Sequence, residues 1–175
     1  MSGTGALIVP FLGVDRAVGA FRRNHDPAAA LGVPAHITIH YPWLRLPSVD
    51  QEDIRQVREL AAATPPHPVA FRELRWFGTE VLWLAPDPAE SLVDLSESSA
   101  RRWPGHLRYG GQMTAPVPHL MVAQVRDGGD RAEVARVEAE LGERLPLRDE
   151  ASEVWWMVQG EDGRWARRAA FGFGR

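Results

Sequence analysis

Two stretches decide how this chain is read: Val33-Pro34-Ala35-His36-Ile37-Thr38-Ile39-His40-Tyr41-Pro42-Trp43 and Val117-Pro118-His119-Leu120-Met121-Val122. In each, a proline-marked loop delivers a histidine at or near the start of an apolar strand. Side chains two apart on a strand face the same way. His36, Thr38 and His40 should therefore share one face, with Ile37, Ile39 and Tyr41 on the other. In the second stretch His119, Met121 and Ala123 share a face against Leu120, Val122 and Gln124. The repeat is faint and local, but it suggests two similar halves, each giving a central strand to a shared cleft.

The elements around these stretches support a mixed architecture. Residues 6–12 form a short apolar run closed by Gly13, as in a buried strand, and Asp15 can cap a helix reaching about Arg23. Residues 24–34, with Pro27, Gly32 and Pro34, read as a loop, and the strand over 35–41 should end at Pro42. Ser48 or Asp50 can cap a helix over 51–63. Residues 69–77 and 79–85 flank Gly78 as a hairpin, and a helix follows over 89–102. Residues 103–117 keep no period and read as a long loop before a strand over 118–126. A helix over 131–145 and a hairpin of 153–159 with 165–172 close the chain, with Trp155, Trp156 and Trp165 assigned to cross-strand packing. The expected fold is α+β: residues 1–175 as one bilobal domain, two pseudo-symmetric lobes of antiparallel sheet with helices outside and a central cleft.

Composition narrows the function. At 175 residues, with 45% hydrophobic and 25% charged side chains, the chain can bury an ordinary core and is not a disordered polymer. It has no cysteine, which excludes disulfides, thiol nucleophiles, cysteine zinc sites and iron–sulfur clusters, and fits a reducing compartment. All 20 basic residues are arginine, which excludes Schiff-base chemistry and a Walker lysine. A net charge of −3 argues against a broad duplex-DNA footprint but leaves a small phosphate ligand open. No signal peptide, membrane span, cofactor motif, metal-ligand spacing or protein-binding tail is readable, so the expectation is a cytoplasmic protein acting alone.

Two histidines on neighbouring strands suit one task in particular. They can approach a phosphodiester from opposite sides, one taking a proton from the attacking oxygen and the other giving one to the leaving oxygen. Imidazole serves both because its unperturbed pKa is about 6.5, and a hydroxyl two residues on can donate to a phosphate oxygen. Such chemistry needs no metal.

The segment from His36 to Trp43 resembles the first signature of the 2H phosphoesterase superfamily, in its branch labelled 2′-5′ RNA ligase. There a histidine, any residue and threonine or serine precede tyrosine-proline-aromatic. Trp103-Pro104-Gly105, Tyr109-Gly110-Gly111 and Val117-Pro118-His119-Leu120 resemble that branch's second signature and its lead-in. Val81-Leu82-Trp83-Leu84-Ala85-Pro86 and Gly163-Arg164-Trp165 with Phe171-Gly172 resemble its flanking strands. The resemblance implies a bilobal fold and metal-independent hydrolysis of 2′,3′-cyclic phosphate or 2′-5′ phosphodiester bonds in nucleotides or RNA ends. By position His36, Thr38 and His119 would be catalytic.

Departures from the pattern bear on activity. Met121 stands where the family has threonine or serine, and Gln124 where some relatives have arginine. A thioether donates no hydrogen bond, and one missing oxyanion donor costs roughly 3 kcal/mol, or about a hundredfold in rate. His40 replaces a commoner aliphatic residue and, on a regular strand, would reach the cleft and touch substrate together with Met121. Tyr41 would point away and pack. Arg108 and Tyr109 in the long loop would form a lip that meets a phosphate and stacks a base. Two other readings stay open: a nucleotide- or phosphometabolite-binding module with weakened catalysis, and an unrelated α+β domain whose histidines never meet.

Overall fold

The structure is a computed structural model that describes residues 3–111, 115–125 and 131–174. The continuous apolar run after Gly3 becomes β1 (Gly3–Pro10), paired antiparallel with β2 (His36–Leu46) on one side and β7 (Glu153–Gln159) on the other. Both faces of β1 are buried, Leu7 and Val9 in the main core and Ala6 and Ile8 against Val33, Trp155 and Met157, so its sequence does not alternate. With β8 (Trp165–Gly172) the first sheet runs β2-β1-β7-β8. The second runs β5-β4-β3-β6, built from β3 (His67–Phe77), β4 (Val81–Asp87), β5 (Leu120–Gln124) and β6 (Leu147–Ala151).

In both sheets the strand that carries or follows a histidine lies at the edge, where central strands were expected. Edge position also explains why β2 continues through Pro42, since a residue without an N–H is tolerated where no neighbour needs it. The sequence reading also passed over β6 and the short helix α2 (Pro27–Ala30), each only a few residues long.

The helices exchange between sheets. α1 (Leu12–His25) leaves β1 yet packs on β5 and β6, while α4 (Glu90–Arg102) leaves β4 yet packs on β2. α3 (Gln51–Ala62), opened by an Asp50/Asp53 capping box, lies against α4 and β8, and α5 (Arg131–Gly142) lies against β3, β5 and α1. One buried cluster joins Leu7, Val9 and Ile37 of the first sheet to Leu82, Leu84 and Leu120 of the second. Among the described residues no helix is long and apolar enough to cross a membrane.

Phe11 precedes α1 and offers no capping side chain, so the helix borrows one from the other sheet. Asp149 of β6 accepts from the N–H groups of Gly13 at 2.7 Å and Val14 at 3.0 Å. The carboxylate comes close enough that a Cβ on Gly13 would sit 2.9 Å from its Oδ2. Removing a helix cap costs about 1 kcal/mol, and Asp149→Ala should lower the unfolding free energy by that amount, read as a lower urea midpoint with the m-value unchanged.

Both edge strands carry a β-bulge. In β2 the pairing steps from Ile8↔Thr38 to Leu7↔His40, which leaves Ile39 as the extra residue. In β5 it steps from Leu82↔Ala123 to Trp83↔Met121, which leaves Val122 extra. Each bulge falls three residues after its histidine, and beyond each the alternation of faces inverts. Ile39 and His40 are consequently both buried, as are Val122 and Ala123.

Candidate active site

Between the two edge strands lies a cavity of about 400 Å³. His36, Thr38, His119, Met121 and Tyr109 line it where the strands face each other, and it continues across the first sheet over Ile8, Met157 and Trp165. The expected catalytic residues and Met121 thus meet in one space.

The two histidines are held alike. His36 Nδ1 is 2.7 Å from the Pro34 carbonyl and His119 Nδ1 is 2.8 Å from the Val117 carbonyl. A carbonyl only accepts, so each Nδ1 carries the hydrogen and each Nε2 of a neutral ring keeps its lone pair. The proline-marked approach sets this up, because the accepting carbonyl lies two residues before each histidine. Phe77 meets the His119 ring edge-on at 4.9 Å and fixes its plane.

Burial is the main force on both rings. It lowers the His36 pKa to about 3, helped by the Arg22 charge and by His119 and opposed by the Pro34 hydrogen bond. Burial likewise lowers the His119 pKa, against its bond to Val117. Both imidazoles are neutral at pH 7, and His119 is the smallest of the influences on His36.

Burial chiefly raises the pKa of the Tyr109 hydroxyl, and the neighbouring Thr38 hydroxyl and Arg108 charge oppose it. Tyr109 adopts a left-handed backbone (φ 50°, ψ 36°), continued by Gly110 and Gly111 with positive φ, and this tight turn brings its ring over the cavity. Arg108 goes elsewhere. Its guanidinium donates to Ser96 Oγ, and it lines a small side cavity of about 20 Å³ behind Tyr109, not the main one. Gln124 is half-buried at the end of β5 and does not line the main cavity either.

His40 corrects the sequence reading. The bulge at Ile39 turns it away from the cleft, and it is fully buried. Its Nε2–H donates to the His106 carbonyl at 2.7 Å, so Nδ1 accepts from the Ser99 hydroxyl at 2.7 Å. Burial lowers its pKa to about 4. With both nitrogens engaged, His40 braces β2, α4 and the loop that carries Tyr109, and has nothing left for a substrate. The same inversion brings out Tyr41, expected to pack, onto the cavity, with its ring 6.5 Å from Tyr109 and 6.0 Å from Trp165. Trp165, assigned to the closing hairpin, lines the cavity too. No run of β-branched residues announces a bulge, so neither aromatic was findable from the sequence. Among the described residues no three His, Asp or Glu side chains converge as metal ligands.

The chain is similar to known proteins in sequence and in fold. A family model described as the 2′-5′ RNA ligase superfamily matches residues 10–163. A protein of Geobacillus kaustophilus, provisionally named a phosphoesterase, is 27% identical over 136 residues, 74% of this chain and 73% of its own length. A Geobacillus thermodenitrificans protein of the same provisional name is 25% identical with the same coverage. Among solved structures, Escherichia coli LigT complexed with 3′-AMP aligns over 99% of both chains with a TM-score of 0.56 and 14% identity. TT0787 of Thermus thermophilus aligns over all of both chains with a TM-score of 0.60 and 15% identity. The chain belongs to the 2′-5′ RNA ligase superfamily, the 2H phosphoesterase family that its sequence resembles, and has its two-sheet α+β fold.

Proposed function

We propose that this protein is a hydrolase that opens 2′,3′-cyclic phosphates or 2′-5′ phosphodiesters of nucleotides or RNA ends, with His36 and His119 as the proton-transfer pair. The observation that carries this reading is that both imidazoles line one cavity with Nδ1 occupied by a backbone carbonyl, leaving each Nε2 for substrate. One neutral Nε2 takes a proton from water as its oxygen bonds to phosphorus. The other, charged once the anionic phosphate lies beside it, protonates the ribose oxygen as its bond to phosphorus breaks. The product is a phosphomonoester, and the ring that gave its proton recovers one from solvent. Thr38 is placed to donate to a phosphate oxygen. Tyr41 and Trp165 offer faces for a base, and the relative LigT was solved with a nucleotide, 3′-AMP.

Both rings titrate low, and this sets the pH test. kcat/KM reports the free enzyme and needs one proton on the pair. That state is populated between the two pKa values, from about 3 at His36 up to a His119 value below 6.5. Turnover of 2′,3′-cyclic AMP in excess chelator, followed by phosphorus NMR, should give a bell in kcat/KM centred below pH 6.5. Turnover that chelator abolishes, or a bell centred above pH 8, would reject this chemistry. A second reading, a ligand-binding module that turns over slowly, is favoured by Met121 alone.

A further inference from the structure

Arg22 is the least expected residue in the interior, a charged side chain only 1% exposed. It belongs to α1, the helix that leaves the first sheet and packs on the second. Its guanidinium reaches both histidine segments. Nη1 donates to the Val33 carbonyl at 3.2 Å, three residues before His36, and the single Nε–H, shared with Asp26, reaches the Met121 carbonyl at 3.2 Å, two residues after His119. Asp26, fully buried, accepts from Nη2 at 2.6 Å and Nε at 2.9 Å. Asp15 accepts from Nη1 at 3.3 Å and also from the Ala35 N–H at 2.7 Å, directly before His36.

We propose that Arg22, clamped by Asp26 and Asp15, is a positioning residue that fixes the separation of the two histidine strands across the cleft. The guanidinium is planar with its donors in a rigid fork, so two carbonyls bonded to one fork are held at a set spacing. Stability is a poor explanation for such a group, because replacing a buried ion pair with uncharged side chains is often neutral or stabilising. Placement is the better one: α1 is rooted in one sheet and touches the other, and Arg22 lies where the histidine segments of both come within reach of a single side chain. The same charge stands behind His36. Among the described residues, Arg22 from α1 and His119 from the lead-in to β5 are the charged or titratable groups that act on His36, and both disfavour its protonated form.

This inference rests on reading the histidines as a proton-transfer pair, so its test keeps a readout that is independent of turnover. Arg22→Met combined with Asp26→Asn removes the charge together with that of its buried partner; asparagine keeps the cap that Asp26 gives to Ala28, and Asp15, partly exposed to solvent, keeps its bond from the Ala35 N–H. The expected result is a folded protein whose kcat for 2′,3′-cyclic AMP falls about tenfold or more while KM changes little. NMR titration of the ligand-free chain should show His36 gaining its proton at higher pH than in the wild type. Arg22→Lys keeps the charge but not the fork, and should lower kcat while His36 still titrates low. A folded double variant with wild-type kcat and a wild-type His36 titration would overturn the inference, as would unaltered kcat in Arg22→Lys if the double variant fails to fold. If the wild type turns over no cyclic phosphate and His36 still shifts in the double variant, the proposed reaction falls and the coupling of Arg22 to His36 stands.

Discussion

His36→Ala and His119→Ala should each lower kcat for cyclic phosphate hydrolysis by about 100- to 10,000-fold, the span that general acid–base groups supply. The double variant should be little worse than the poorer single one. Each turnover needs both a proton acceptor and a proton donor, so losing either stalls the same step, and residues that act as a unit are not additive. Steady-state kinetics of the three variants checks this. Additive losses would mean that the rings work independently. Loss of fold is separable from loss of chemistry by the sign of the pH dependence. The folded chain holds His36 near pKa 3, whereas the unfolded chain takes up that proton below about 6.5. Wild-type stability therefore declines as pH falls from 6.5 toward 3, and His36→Ala lacks that part of the decline. An alanine variant that is inactive at pH 5, yet loses less stability between pH 7 and pH 5 than the wild type, identifies the defect as chemical.

Much of this site was legible in the sequence because its logic is local. A proline-marked approach, a histidine and a threonine two residues after it lie within five positions, and strand geometry places them without knowledge of distant partners. His36, Thr38, His119 and Met121 were found this way, and family resemblance paired the two segments. What escaped the reading depends on register. One extra residue at Ile39 exchanges the positions of His40 and Tyr41, burying the first and exposing the second. Nothing in Ile37-Thr38-Ile39-His40 distinguishes a bulged strand from a straight one, since the bulge is set by how β1 pairs with it. Arg22 escaped for a related reason. Its partners Val33 and Met121 are 11 and 99 residues away, and the crossing of α1 to the second sheet brings them together. Trp165 was placed correctly on its hairpin, but which of its sides faces space depends on the arrangement of the other sheet.

The matched bulges make the last comparison a sharp one. His36 and His119 each have a side chain two residues on that lines the cavity, followed at once by the bulge, so Thr38 and Met121 occupy equivalent places around the two imidazoles. One side then supplies a hydroxyl and the other a thioether that donates nothing. Met121→Thr should raise kcat for cyclic phosphate by up to about a hundredfold, the converse of removing one oxyanion donor. KM should change far less, because the added bond strengthens as charge gathers on the phosphate oxygens. The backbone should not object, since threonine suits a strand and the Met121 carbonyl that Arg22 binds is untouched by the exchange. Threonine is also smaller and enlarges the cavity, so Met121→Val is the required companion: it has nearly the same shape and lacks the hydroxyl. The ratio of Thr to Val rates isolates the hydrogen bond from the change in space. A ratio near a hundred identifies the natural protein as an esterase slowed at one donor. A ratio near one, with tight nucleotide binding and no turnover in either variant, assigns the cavity to binding instead, because the hydroxyl would then have no developing charge to meet.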